Sequence, residues 1–194
     1  MARITIPYAV ADFVEMRERN FYYVDKTDFI PGLEDYKAPV FLRPRRFGKS
    51  LFISTLACYY DRTKADRFEE LFGGTWIGEH PTEEHNRYMI VRYDFSKMVM
   101  ADDMEGLERN FNRLNCSPVE IMVTHNRDLF QNFQFTTKGN ASQMLEEALG
   151  YAREHDLPKV YILIDEYDNF TNHSAPPSAR PLFCKSSLFN QASQ

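Results

Sequence analysis

Hydrophobic residues along the chain recur with two periods, and the places where the period changes mark its elements. Residues 9–20 carry Val10, Phe13, Val14 and Met16 among charged neighbours, the pattern of a short amphipathic helix. Phe21-Tyr-Tyr-Val24 reads as extended, and Asp25 or Thr27 is placed to cap a further helical turn. Pro31-Gly32 should interrupt any long helix there, because proline lacks the backbone donor and glycine loses most entropy on ordering. Pro39 to Leu42 is predicted to be a strand that leads into FLRPRRFGKSLF, residues 41–52. Beyond it, LFISTLACYYD is apolar almost all round, as in a helix packed against a sheet on one side and other elements on the other.

Residues 65–72 read as another short helix stopped by Gly73-Gly74, and residues 76–84 as a polar loop containing Pro81. Tyr88 to Phe95 is rich in β-formers and partly alternating, which predicts a second core strand. Residues 102–114 and 119–130 are predicted to be two helices broken at Asn115-Cys-Ser-Pro118. The clearest helix is 140–156, where Asn140 and Gln143 have capping-box spacing and Met144, Leu145, Ala148, Leu149 and Ala152 make one apolar face. Lys159 to Ile164 is the third predicted core strand. From about Ser174 the chain is rich in proline and small polar residues, so the expected organisation is one domain over 1–172 and an irregular tail over 173–194.

Composition narrows the class. With 194 residues, 43% of them hydrophobic, the chain can bury the core of one globular domain, and its mean hydropathy of -0.49 fits a soluble one. The longest apolar runs are short and MARITIPYAV lacks a signal-peptide pattern, so neither export nor a membrane partner is expected. A net charge of -5 argues against a general nucleic-acid coat, which needs surplus Lys and Arg. Cys58, Cys116 and Cys184 are widely spaced with no CxxC, which excludes a zinc site of that type and points to a reducing cytoplasm.

The candidate chemistry lies in two distant stretches. Gly48-Lys49-Ser50 is the phosphate-gripping half of a P-loop, although Arg43 stands where the usual pattern has its first glycine. That glycine chiefly eases the exit from the strand, whereas Gly48 lies where backbone approaches phosphate, and Arg45 and Arg46 add positive charge beside it. Far downstream, VYILIDEYDNF, residues 160–170, is an apolar run that ends abruptly in Asp165-Glu166. In a parallel sheet buried on both faces, carboxylates at the C-terminal end of such a strand lie on the edge where ligands bind. Mg-nucleotide chemistry needs a lysine on the phosphates, a hydroxyl and a carboxylate around Mg2+, and a base for water, which Lys49, Ser50, Asp165 and Glu166 supply in that order. Taken alone, GKS is also an ordinary basic turn and Asp-Glu an ordinary strand meeting solvent; it is the conjunction that is specific.

RPRRFGKSL, YYVDKTDFI at residues 22–30 and LIDEYDNF at 163–170 resemble the bacterial AAA-ATPase-like family, whose members often carry a PD-(D/E)XK nuclease-like domain toward the C-terminus. The helix pattern before YYVDKT and the Tyr93-Asp-Phe-Ser96 strand end are also similar, so the resemblance spans residues 7–172. It implies an α/β fold, a P-loop NTPase-like three-layer core with a mainly parallel sheet. It further implies ATP and Mg2+ as ligands, Arg45, Arg46, Phe47, Gly48, Lys49, Ser50 and Leu51 around the nucleotide, Ser50 and Asp165 at the metal, and Glu166 as the catalytic base. By the same analogy Tyr23 to Thr27 lie near the nucleotide base; the plainer reading is that they pack the N-terminal segment on the core.

Only 29 residues follow Asp165, too few for the sensor strand, the further strand, the helical lid and the nuclease-like domain that the resemblance implies. The expectation is therefore a C-terminally truncated ATPase that binds Mg-ATP with weak or absent turnover and lacks a domain it would otherwise partner. The alternative is a non-enzymatic interaction module, or a remnant, that contacts a protein or nucleic acid through Arg43, Arg45 and Arg46.

Overall fold

The computed structural model describes residues 5–40, 47–98, 101 and 103–167. The predicted tail over 173–194 lies outside them, as do Phe41 and Leu42 of the predicted first strand; Pro39 and Val40 are not in a strand.

The centre of the described chain is a parallel pair of strands, β1 (Met89–Asp94) and β2 (Val160–Asp165), in register from Met89 with Val160 to Asp94 with Asp165. Both β-rich runs picked out by their composition thus form strands, and the fold is a mixed helix and strand arrangement on a small parallel sheet. Strand alternation splits the sheet into two faces. Met89, Val91, Tyr93 and Val160 pack with α6 (Met104–His125) and α7 (Ala141–Glu154). Ile90, Tyr161 and Leu163 pack on the opposite face with α3 (Lys49–Tyr60).

The helix α3 is enclosed by a shell of short elements. These are α1 (Phe13–Glu18), α2 (Ile30–Glu34), α4 (Phe68–Phe72) and α5 (Trp76–Glu79), joined by 3-10 turns at Thr27–Phe29 and Arg62–Arg67. That shell explains why its sequence shows no polar stripe: Ile53, Ser54, Thr55, Leu56, Cys58, Tyr59 and Tyr60 are all buried. Its polar groups are matched locally. The Phe13 N–H, one of the donors left over at the start of α1, is accepted by Ser54 Oγ at 3.0 Å. At the other end, the Tyr60 hydroxyl donates to Glu34 Oε1 at 3.1 Å, and Thr82 Oγ1 donates to the same oxygen at 2.7 Å.

Three expectations are corrected. The residues read as two helices broken at 115–118 form the single 22-residue helix α6, with Pro118 inside it. A proline there costs about 3 kcal/mol, but Cys116, Val119, Met122 and Val123 are buried on both sides of it, at about 1.5–3 kcal/mol for each large side chain, so burial prevails. The predicted loop at 76–84 begins with α5, a single helical turn. Its N–H groups are met by Thr75 Oγ1 on Gly78, Asp25 Oδ2 on Trp76 and Thr27 Oγ1 on Ile77. The helix predicted at 65–72 is split between a 3-10 turn and α4. Pro31 and Gly32 lie within α2, which is only 5 residues long and accommodates the proline in its first turn.

Replacing Ser54 with Ala leaves the buried Phe13 N–H without its acceptor. The expected loss is about 1–3 kcal/mol, which thermal unfolding should report as a fall of roughly 2–12 °C in Tm. An unchanged Tm would show that the α1–α3 contact does not depend on this bond.

Candidate nucleotide site

Lys49 opens α3 directly behind Gly48, whose φ of 79° places it in the left-handed region, where a side chain would be strained. The Gly48 carbonyl accepts from the Phe52 N–H at 2.9 Å, which starts the helix, and Gly48 at the N-cap position brings no side chain to cap it. The first-turn N–H groups and the positive end of the helix dipole lie beside Lys49 and Ser50, both partly exposed. Leu51 is partly buried against the α3 core, and Phe47 is exposed. Arg43, Arg45 and Arg46 lie outside the described residues.

The N-terminal motif reaches this loop. Lys26 Nζ donates to the Phe47 carbonyl at 3.1 Å, and its neighbours Asp25 and Thr27 cap α5 as described above. YYVDKT thus both packs the N-terminal segment and touches the loop that ends at Gly48.

Asp165 ends β2 and is 4% exposed. Alternation puts Tyr161, Leu163 and Asp165 on the α3 face of the sheet. Tyr161 stacks on Tyr60, the last residue of α3, at 4.6 Å, and Leu163 joins Ile53 and Leu56 in one core. The helix therefore runs back along the strand, so its first turn lies toward the Asp165 end. The 12 residues of α3 rise roughly 17 Å and Tyr161 to Asp165 spans roughly 13 Å, so the start of the helix is directed toward the Asp165 end of the strand. Asp165 itself stands at the C-terminal edge of the parallel strands, where such folds place ligands.

Arg92, on β1, faces Asp165 with 3.7 Å between guanidinium and carboxylate. Sequence reading did not single out Arg92; a lone cation inside the apolar run YMIVRYDF was the available signal. Glu166 follows with φ 53°, a left-handed conformation unusual for a residue with a Cβ, and is partly exposed. Among the described residues no three His, Cys, Asp or Glu side chains gather as a metal cage. Ser50 and Asp165 are nonetheless hard oxygen donors, the type Mg2+ takes together with phosphate oxygens and water.

The family model described as "Predicted AAA-ATPase" matches residues 7–181. A protein of Azotobacter chroococcum mcd 1, described as "Uncharacterized protein in vnfD 5'region", is 30% identical over 188 residues, covering 94% of this chain and 33% of the relative. This chain spans about a third of that relative's length. No solved structure matches significantly. The fold is of mixed α/β type, and the chain belongs to the predicted AAA-ATPase-like family, a membership that suggests nucleotide binding. Among the described residues no helix is long and apolar enough to cross a membrane.

The described cysteines take no part in the site. Burial pushes the Cys58 thiol up to about 12 and raises Cys116 as well. At pH 8 the buried Cys58 is therefore held as the unreactive thiol. With Cys184 changed to Ser, the native chain should react negligibly with a disulfide reagent at pH 8, and both remaining thiols should react after unfolding in guanidinium. Rapid reaction of the native chain would contradict the burial of these residues.

Proposed function

We propose that this chain binds Mg-ATP at the N-terminus of α3, as part of a three-layer P-loop core formed by residues 1–172. The observation that supports the reading is the start of α3 behind a left-handed Gly48, in a helix packed on the sheet face that bears the buried Asp165. In this reading Lys49 meets the β and γ phosphates, and the residues from Arg45 to Leu51 wrap the phosphate chain. Ser50 and Asp165 hold Mg2+, which when bound neutralises charge between the phosphates. Glu166 is placed one residue beyond Asp165 to orient a water, with turnover weak or absent in this chain. Lys26 steadies the loop through the Phe47 carbonyl. The family resemblance extends the proposal to a longer protein in which a nuclease-like domain follows, which the coding sequence downstream of Gln194 tests.

Mg-ATP at about a hundred times its dissociation constant stabilises the binding state by ~2.7 kcal/mol. For a chain of this size that predicts a rise of about 5 to 11 °C in melting temperature. Lys49→Ala should remove most of the rise, Asp165→Asn should weaken its dependence on Mg2+, and Glu166→Gln should leave it largely intact. A folded sample with no Mg-ATP shift, or one that Lys49→Ala leaves unchanged, would reject the nucleotide site and leave RPRRFGKS as a basic contact surface.

A further inference from the structure

Lys26 is exposed, yet its backbone is fixed on both sides. Asp25 accepts from the Thr27 N–H at 2.9 Å through Oδ1 and from the Trp76 N–H at 2.8 Å through Oδ2. Thr27, fully buried, accepts from the Ile77 N–H at 3.1 Å, so both neighbours of Lys26 are fastened to the first turn of α5. From this clamp the Lys26 side chain reaches, across 21 positions of sequence, the two residues in front of Lys49. Its Nζ donates to the Phe47 carbonyl at 3.1 Å and lies 4.0 Å from the point where a Cβ would stand on Gly48.

That bond accounts for the position of the amine but not for its charge. A carbonyl is neutral, so it takes one of the three ammonium donors and leaves the charge whole. A neutral donor would hold the loop as well, without the rotamer entropy lost when an exposed lysine is kept in one conformation. The next residues of the loop are also positive in character: α3 begins at Lys49, which brings a second lysine and the positive end of the helix dipole directly behind Gly48. Like charges gathered at one loop repel until an anion joins them, and each then adds to the binding of that anion.

On the Mg-ATP reading above, on which this rests, we infer that Lys26 is a second phosphate-binding lysine. Its ammonium keeps the Phe47 carbonyl and gives a further N–H to an oxygen of the phosphate chain that Lys49 meets. What it recognises is therefore the polyphosphate and not the nucleoside. Because Asp25 and Thr27 set the backbone of Lys26 through α5 before a ligand arrives, little ordering is left to be done on binding. As an anchor alone, Lys26 would act only through the Phe47 carbonyl, and its charge would be immaterial.

Acetylation of the wild-type chain with an amine-reactive reagent, read residue by residue by mass spectrometry, tests this without a variant. Mg-ATP, and magnesium tripolyphosphate alone, are each expected to protect Lys26 and Lys49, while adenosine protects neither and the exposed Lys138 is labelled equally throughout. By titration calorimetry, Lys26→Gln should bind Mg-ATP about tenfold more weakly and Lys26→Arg should stay within about threefold of wild type. Affinity should also fall less steeply with added salt in Lys26→Gln than in wild type, because one screened charge is gone. Lys26 labelled equally with and without ligand while Lys49 is protected would overturn the assignment and leave the nucleotide site standing. So would a Lys26→Gln chain, weakened or not, that keeps the salt dependence of wild type, which is the result for an anchor. Protection of Lys26 by adenosine but not by tripolyphosphate would place it at the base and overturn the assignment too. If neither polyphosphate ligand protects either lysine, the nucleotide site fails and the assignment falls with it.

Discussion

The structure depends on the burial of one helix along nearly its whole length. α3 lies against Tyr161 and Leu163 on one side and against Phe13, Ile30, Leu71, Phe72 and Ile77 on the other. Each large side chain that moves from water into this shell contributes about 1.5–3 kcal/mol. That total is sufficient to organise short elements with little stability of their own, since isolated helices of four to six residues do not persist in water. The bonds from Phe13 to Ser54 and from Tyr60 to Glu34 then fix where each short element sits on the helix.

The candidate site follows from the same burial. A helix covered over its length can offer a ligand only its ends, and the C-terminal end is closed by the stacking of Tyr60 on Tyr161 and by the hydroxyl network at Glu34. The end proposed for the ligand is the one behind Gly48. Asp165 lies on the same face of the sheet because the strand that supplies Tyr161 and Leu163 to the core continues to it. Packing and chemistry are therefore carried by alternate positions of one strand, and Arg92 on the neighbouring strand provides the countercharge for the buried carboxylate.

Much of this was legible in the sequence where a local signal agreed with the tertiary outcome. The 140–156 helix announced itself through Asn140, whose Oδ1 accepts from the Gln143 N–H at 3.1 Å, and both apolar strands were visible as runs of β-formers. Elements held by distant partners were not legible. The turn at Trp76–Glu79 exists because Asp25 and Thr27, some fifty positions earlier, satisfy its N–H groups. Pro118 reads as a break in one dimension and is overridden by a core visible only in three. At the proposed site, Gly48, Lys49, Ser50 and Asp165 were picked out by their residue types, whereas Arg92 was missed because its pairing with Asp165 comes from strand register, which no local pattern encodes. The basic residues Arg43, Arg45 and Arg46 lie outside the described residues, so their part rests on sequence alone.

Glu166 carries a consequence of its own. A backbone at φ 53° suits glycine, and a side chain there costs on the order of 1 kcal/mol. Drift toward greater stability would therefore favour losing the carboxylate at this position, since the mutation that relaxes the backbone also deletes the acid. A lineage that retains Glu166 is holding a conformationally unfavourable residue against that drift. Under the proposed role of Glu166 in orienting water, the identity of this single position across related chains would record which of them still use the acid.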